Sequence, residues 1–287
     1  MLLGFNDEYY KKINLPECQE LITQIKNGVL FITLNRPYKK NAMNLTLVNE
    51  LMLTVKSVEN NTDVRAIVLQ GAENNFCSGG DISGINIDSQ SPQENIIWDF
   101  NRTFGKMITL VNHAPQVVIT VLEGAVLGGG FGLACISDIA IADVNAKFAM
   151  PETQLGIVPA QIAPFVVSRI GLTQTRRLSL IGEKISGSEA QALGLVHYVT
   201  HSQDEMSEKL QTVLTQILHC APQATALTKK LILQVGLVEH EQLLDRSADY
   251  FSQSLQGKEG KEGTSAFLQK RLPSWVNKYS DLNSSEK

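Results

Sequence analysis

The stretch VLEGAVLGGGFGLACISDIAIADVNAKFAMPETQLGIVPAQ, Val121 to Gln161, runs an apolar strand into Gly128-Gly129-Gly130 and later reaches the pair Pro151-Glu152. A strand, a glycine turn and a helical pattern, in that order, make an α/β unit. A second turn of this kind, Phe76-Cys-Ser-Gly-Gly-Asp-Ile82, follows the apolar run Val64 to Leu69. Upstream, Leu21 to Leu34 reads as two β-rich runs around Asn27-Gly28, a strong hairpin turn. Asn44 is placed to cap a helix whose apolar stripe is Val48, Leu51, Met52, Val55 and Val58. Gln116 to Val121 is another buried strand by composition, and the strand signal returns from Ile136 to Met150 with a break at Asp143-Val-Asn145. Strand, turn and helix recur loosely up to about His197, without a true sequence repeat.

From Ser202 the character changes. Ser202-Gln-Asp-Glu205 is a capping-box pattern, with Met206, Leu210, Val213, Leu214 and Ile217 following at helical spacing. Pro222 opens a further helix through Ala224, Leu227, Leu231 and Leu233, and the tail ends in a polar stretch, Ser280 to Lys287, expected to fray. The expected organisation is an α/β core over residues 1–200 and a helical region over residues 201–287. The apolar stripes of that region need a surface to cover.

Composition excludes several classes. The 287 residues are 43% hydrophobic and 19% charged, an ordinary globular balance, and carry a net charge of -4. With a pI of about 5.8 and no basic run, a nucleic-acid partner has little electrostatic support. No basic segment leads into an apolar one at the N-terminus, and apolar runs are too short to span a membrane, so a cytoplasmic protein without a membrane partner is expected. Cys18, Cys77, Cys135 and Cys220 lie far apart and match no metal or redox spacing, and no metal site is expected. Gly128-Gly-Gly-Phe-Gly132 does not continue as a dinucleotide fingerprint, and neither a P-loop nor a G-x-S-x-G elbow is present. Cys77 has no histidine in its motif and reads as a small buried side chain before it reads as a nucleophile. His113, before Ala-Pro, reads as a helix end.

Two glycine turns at the mouths of two strands can each present a bare backbone N–H. Such a pair of donors is what the oxygen of a thioester enolate needs, although each turn alone also reads as a simple strand-to-helix connection. In order along the chain stand Asn35-Arg-Pro-Tyr-Lys-Lys-Asn-Ala42, the Phe76–Ile82 turn, Glu123-Gly-Ala-Val-Leu-Gly-Gly-Gly130, and Phe148-Ala-Met-Pro-Glu152 with Gly156 and Pro159. This ordered set closely resembles the enoyl-CoA hydratase/isomerase (crotonase) family over roughly Leu21 to Val199, with a weaker echo from Ser265 to Pro273. The resemblance implies a spiral of repeated ββα units with a helical C-terminal trimerisation region. It also implies a homotrimer or hexamer and an acyl-CoA thioester substrate, with no separate cofactor because coenzyme A is part of that substrate. It further implies an oxyanion hole from the Gly80 and Gly129 N–H groups, and catalysis by Glu152. Arg36, Lys40, Ala42, Ser78, Gly79, Asp81, Ile82, Gly128 and Gly132 are the implied substrate contacts. Arg36, Lys39 and Lys40 read equally as a solvated turn or as contacts to coenzyme A phosphates. Asp138 resembles a position that is mainly structural.

Two departures matter. The family's hydratases usually carry two glutamates, and here the first position is Gly132 while the second is Glu152. The usual P-G-x-G-G stretch is replaced by Val158-Pro-Ala-Gln-Ile-Ala-Pro-Phe-Val166. Both features resemble the bacterial branch that hydrates branched glutaconyl-CoA thioesters. The expectation is a hydratase using one carboxylate, with Gly132 leaving space beside the reacting carbons for a branched or carboxylated acyl group. The alternatives are a Δ3,Δ2-enoyl-CoA isomerase, which needs one base, and a non-catalytic acyl-CoA-binding protein. An RNA-binding role, known for one relative, is disfavoured by the acidic pI, and a cysteine hydrolase would need Cys77 to be reactive. The segment Ser83 to Phe104, with Ile85, Ile96 and Trp98, shapes the acyl pocket but cannot be placed from sequence.

Overall fold

Asn27 and Gly28 both take positive φ, 51° and 74°, the geometry of a primed two-residue turn, and join β1 (Leu21–Lys26) to β2 (Val29–Leu34) in antiparallel register. The computed structural model describes residues 13–81, 83 and 94–277, with 94–96 and 277 described by backbone alone. Ile82, Ile85 and the tail from Ser280 to Lys287 therefore lie outside the described residues. The strands that follow are β3 (Ala66–Gly71), β4 (Val117–Leu122), β5 (Ala125–Leu127), β6 (Ile139–Asp143), β7 (Lys147–Ala149), β8 (Ile185–Ser186) and β9 (Tyr198–Thr200). They build a six-stranded sheet in the order β1-β2-β3-β4-β6-β9, parallel from β2 onward, and a three-stranded sheet in the order β5-β7-β8.

The first helices are α1 (Leu45–Val58), α2 (Glu94–Asn112), α3 (Gly129–Ile136) and α4 (Ala163–Ile181), the last interrupted at Gly171. Asn44 caps α1 by accepting from the Leu47 N–H, as its sequence position predicts. Each turn of the chain lays one long strand in the large sheet, one short strand in the second layer, and then a helix. In the β4–β5–α3 turn all three parts are complete. In the two earlier turns the short strand shrinks to a single bridge, Met43 to Gly80 before α1 and Cys77 to Val126 after β3. This is the ββα spiral that the motif resemblance implies.

Parallel strands buried on both faces need apolar residues at every position, which is why Ala66 to Leu69 reads as an unbroken run. On one face Leu30, Ile32, Ile67, Leu69 and Val118 share a core with Leu51 and Val55 of α1 and with Met107, Ile108 and Val111 of α2. On the other face Val29, Val68, Ile119 and Ile141 meet Met206, Val213, Leu214 and Ile217.

Those last four residues belong to α6 (Gln203–His219), which follows the short core helix α5 (Gly187–Ala192) and opens the helical region that α7 (Pro222–Ile232), α8 (His240–Gln256), α9 (Lys258–Leu268) and α10 (Ser274–Asn277) complete. Each such aliphatic side chain contributes about 1.5–3 kcal/mol on burial, so the α6 stripe alone fastens the helix to the sheet. Only half of the expected capping box forms at its start. Ser202 Oγ accepts from Glu205 N at 3.2 Å, but Glu205 reaches back to the N–H of His201 at 2.7 Å instead of that of Ser202. A complete box occurs at Ser186 and Glu189, opening α5. Asp138, at the start of β6, accepts from Val118 N at 2.7 Å and pairs with Lys229 of α7 at 2.6 Å. Beyond α6 much of the apolar stripe faces outward, with Val235, Leu237, Phe251, Phe267 and Leu268 all exposed. Among the described residues no helix is long and apolar enough to cross a membrane.

Candidate active site

The short second layer sets up the site, because the ends of its strands and bridges are the two glycine turns. After β3 the chain passes Cys77, whose N–H donates to Ala125 O at 2.8 Å and whose carbonyl accepts from Leu127 N at 2.9 Å. Ser78 N donates to Lys40 O, Met43 N to Gly79 O and Asp81 N to Met43 O, at 3.0, 2.8 and 2.9 Å. The first turn is thus laddered to both neighbouring units. Among the described residues the Gly80 N–H between these bonds donates to no protein group.

In the second turn Gly128 takes φ 50° and ψ -114°, a conformation that L side chains avoid. A Cβ there would also stand 2.9 Å from Glu152 Oε1 and 3.5 Å from Gly79 Cα, so this glycine lets three parts of the site converge. Gly129 then opens α3. As a first helical residue its N–H has no intrahelical partner, and it points out of the positive end of the helix dipole. A Cβ on Gly130 would meet Cys77 Cβ at 2.7 Å, so the triplet also lets α3 sit directly on the first turn.

Glu152 follows β7 and begins a short 3-10 helix, Glu152–Leu155, that ends at Gly156. It is half-buried, and its Oε2 is buried with no hydrogen-bond partner among the described residues. Burial pushes the Glu152 carboxyl above the usual carboxylate range. A cavity of about 170 Å3 is lined by Ser78, Gly79, Gly80, Gly128, Gly129 and Glu152, so both turns and the carboxylate face one space.

The other expected contacts fall elsewhere. Arg36 is only 6% exposed, ion-paired to Glu20 at 3.1 Å and to Asp81 at 2.9 Å, and it also donates to the Ala42 carbonyl. The guanidinium is a strut inside the protein that braces the first glycine turn through Asp81. Ser83's hydroxyl and then Arg36 hold the Asp81 carboxyl down at about 2. Lys39 and Lys40 are exposed, with Lys39 Nζ donating to Ser83 Oγ at 3.2 Å. Ala42 is buried behind the turn. Burial pushes the Cys77 thiol up to about 12, so it stays protonated at neutral pH and is no nucleophile.

Gly132 does not stand beside open space. It was expected to leave space beside the cavity. A Cβ at Gly132 would instead meet Ile162 Cγ2 at 2.3 Å and Ile108 Cδ1 at 3.0 Å. The volume is filled, and it is Ile162, not Gly132, that lines the cavity. The two sequence departures thus meet in the structure, since Ile162 belongs to the Val158–Val166 segment and packs over Gly132.

The segment Ser83 to Phe104, expected to shape the pocket, supplies Phe100, Asn101 and Phe104 of α2 to the lining, whereas Gln161, from the loop before α4, was not singled out by sequence reasoning. Phe104 carried a signal: it begins the buried stripe Phe104, Met107, Ile108, Val111. Trp98, by contrast, is exposed.

Residues 24–278 match the family model described as enoyl-CoA hydratase/isomerase. The match runs through α10, well past the four ordered motifs. A crystal structure of an enoyl-CoA hydratase/isomerase from Marinobacter aquaeolei is 49% identical, with a TM-score of 0.86 over 90% of this chain and 100% of that one. Among curated relatives, the 1,2-epoxyphenylacetyl-CoA isomerase of Escherichia coli (strain K12) is 30% identical over 90% of this chain and 98% of its own. The 2,3-dehydroadipyl-CoA hydratase of the same organism is 30% identical over 88% of this chain and 97% of its own. One relative is thus named for isomerisation and the other for hydration.

Proposed function

The chain belongs to the enoyl-CoA hydratase/isomerase family, and on that premise we propose that it is a hydratase adding water across the double bond of a 2-enoyl-CoA thioester. The observation that carries this reading is one cavity faced by two glycine N–H groups that are unpaired among the described residues and by one desolvated carboxylate. The thioester oxygen accepts from Gly80 N and Gly129 N. Glu152 accepts a proton from water as the water oxygen bonds to C3. The C2–C3 π electrons move toward the carbonyl, and the enolate charge settles on the oxygen held by the two donors. Collapse of the enolate takes the proton from Glu152 to C2 on the same face. Each oxyanion donor contributes on the order of 10²–10³ in rate. A carboxyl shifted upward exchanges its proton more readily near neutral pH, which suits one group acting as base and then acid.

A second reading has its own support. Ile162 and Ile108 occupy the volume beside Gly132, so no second carboxylate reaches the cavity from that position. A 1,3-proton shift needs one base only: Glu152 would take a proton from one carbon and return it two carbons away. A mass-spectrometric assay on a panel of enoyl-CoA thioesters separates the two. Gain of one water marks hydration, double-bond migration without mass change marks isomerisation, and no turnover of any member removes both.

The acyl group we propose is branched or bears a carboxylate, by the likeness of the Val158–Val166 segment to the branch that takes such substrates. The exposed apolar faces of α8 and α9 support a homotrimer or a hexamer of two trimers.

A further inference from the structure

One wall of the cavity carries a pair of amides that the proposed chemistry does not use. Gln161 Nε2 donates to Asn101 Oδ1 at 2.9 Å, and Arg102 Nη1 donates to Gln161 Oε1 at 3.4 Å. Asn101 and Gln161 line the same cavity as Gly80, Gly129 and Glu152. A guanidinium can only donate, so it fixes which way the first amide faces. Gln161 turns its oxygen to Arg102 and its NH2 to Asn101. Asn101 must answer with its oxygen, and its own NH2 remains as the free end of the chain. Among the described residues that NH2 donates to no protein group. The cation thereby makes the cavity end of the relay a donor.

The seat of this relay is built into the helix. Gly105 lies within α2, where glycine is an unfavourable choice. A Cβ there would stand 1.9 Å from Gln161 Oε1 and 2.7 Å from Arg102 Nη1. Glycine at this point is what admits the Gln161 carboxamide. Arg102 is half-buried, and among the described residues it forms no ion pair.

We infer that Asn101 reads a carboxylate on the acyl group of the substrate, with Gln161 and Arg102 as positioning residues that present its NH2. The inference rests on the acyl-CoA reading above and names the residues that select within that class. A half-buried cation relayed through two amides favours an anionic oxygen, whereas a methyl group at the same place would leave the donor unpaired. That difference corresponds to roughly 10–100-fold in affinity.

The test uses two saturated ligands of equal chain length, glutaryl-CoA and valeryl-CoA, which differ by a terminal carboxylate against a methyl group and undergo no hydration. Titration calorimetry on the full chain should give about 10–100-fold tighter binding of glutaryl-CoA. In Gln161→Glu the new carboxylate accepts from both Arg102 and Asn101, so Asn101 turns its oxygen to the cavity. The preference should then fall to within about threefold or reverse. Arg102→Met should also weaken the preference without placing a charge at position 161, while Arg102→Lys should retain most of it. Equal binding of both ligands by the unaltered protein overturns the inference, as does a preference unchanged in both Gln161→Glu and Arg102→Met. If neither ligand binds, the acyl-CoA reading falls and takes this inference with it, whereas turnover of crotonyl-CoA combined with equal binding overturns the inference alone.

Discussion

Gly132 and Ile162 should be energetically coupled, and a double-mutant cycle measures by how much. A Cβ at residue 132 would lie 2.3 Å from Ile162 Cγ2 and 3.0 Å from Ile162 Cβ, distances at which something must shift. The helix itself would gain about 0.8–1 kcal/mol from Gly132→Ala, because alanine is the better helix former. Overpacking a close-fitted core costs about 1–3 kcal/mol, and at 2.3 Å the clash belongs in the upper part of that range. Gly132→Ala should therefore destabilise by about 1–2 kcal/mol in spite of its propensity. Ile162→Ala, which deletes buried methyl groups, should cost about 2–5 kcal/mol. Removing Cγ2 makes room for the new Cβ, so the double variant should be more stable than the sum of the single effects by about 1–3 kcal/mol. Urea unfolding of the four proteins at one concentration supplies the cycle. A coupling below about 0.5 kcal/mol would mean that the two sites do not share this volume, and the reasoning would fail. Gly132→Glu in the unaltered background should be worse than either single variant, because it adds a buried carboxylate to the same clash.

Four further outcomes are expected, three from the site and one from the exposed helices. Glu152→Gln should lower kcat by about 10²–10⁴ with little change in acyl-CoA affinity, and near-full activity would remove Glu152 from the chemistry. The same substitution should raise Tm at neutral pH. Burial lifts the folded-state pKa of Glu152 above its unfolded value, so its relative stability is full below about pH 4.3 and is lost as pH rises through the lifted value; a Tm gap between the variant and the original that does not shrink on acidification contradicts this. With an acyl-CoA bound, the thioester oxygen should lie about 2.7–3.1 Å from both Gly80 N and Gly129 N in a crystal structure, and an oxygen directed elsewhere refutes the hole. Light scattering at micromolar concentration should report a trimer or a multiple of it, and a monomer mass would leave the exposed faces of α8 and α9 to another explanation.

The parts of the site legible in the sequence are those where backbone geometry demands a residue type. Gly128 must take a positive φ, and Gly130 must admit Cys77, so both show as glycine whatever surrounds them. Asn27-Gly28 and Asn44 are legible for the same reason, because local geometry alone selects them. Arg36 was not legible. A cation in a turn reads as solvated, and only tertiary packing brings Glu20 and Asp81 to it. Ile162 and Ile108 were hidden more deeply, since a short glycine says that a side chain is missing and nothing about which neighbour has moved in. The spacing of Phe104 and Ile108 in α2 fits a buried helical face, but such a pattern cannot tell a core contact from a cavity wall.

This difference in legibility follows the way the site is held. The two N–H donors come from different units of the spiral, yet the bonds from Cys77 N to Ala125 O, from Leu127 N to Cys77 O, and from Gly128 N to Ala149 O tie those units to one another. Shifting one donor relative to the other would break several backbone hydrogen bonds together, and a buried backbone group left unpaired costs about 1–3 kcal/mol. Oxyanion stabilisation depends on distances within a few tenths of an ångström, so it belongs on such a lattice. The opposite wall has no strand pairing across it. Asn101 and Phe104 arrive on α2, Gln161 and Ile162 on the loop into α4, and among the described residues a side-chain hydrogen bond, Gln161 Nε2 to Asn101 Oδ1, links the two. A side-chain seam can be repacked by paired substitutions without disturbing the donors, which is what the Gly132–Ile162 cycle tests. On the hydratase reading proposed above, backbone would hold the polar end of an enoyl thioester, and the choice of acyl group would fall to the side chains of this seam.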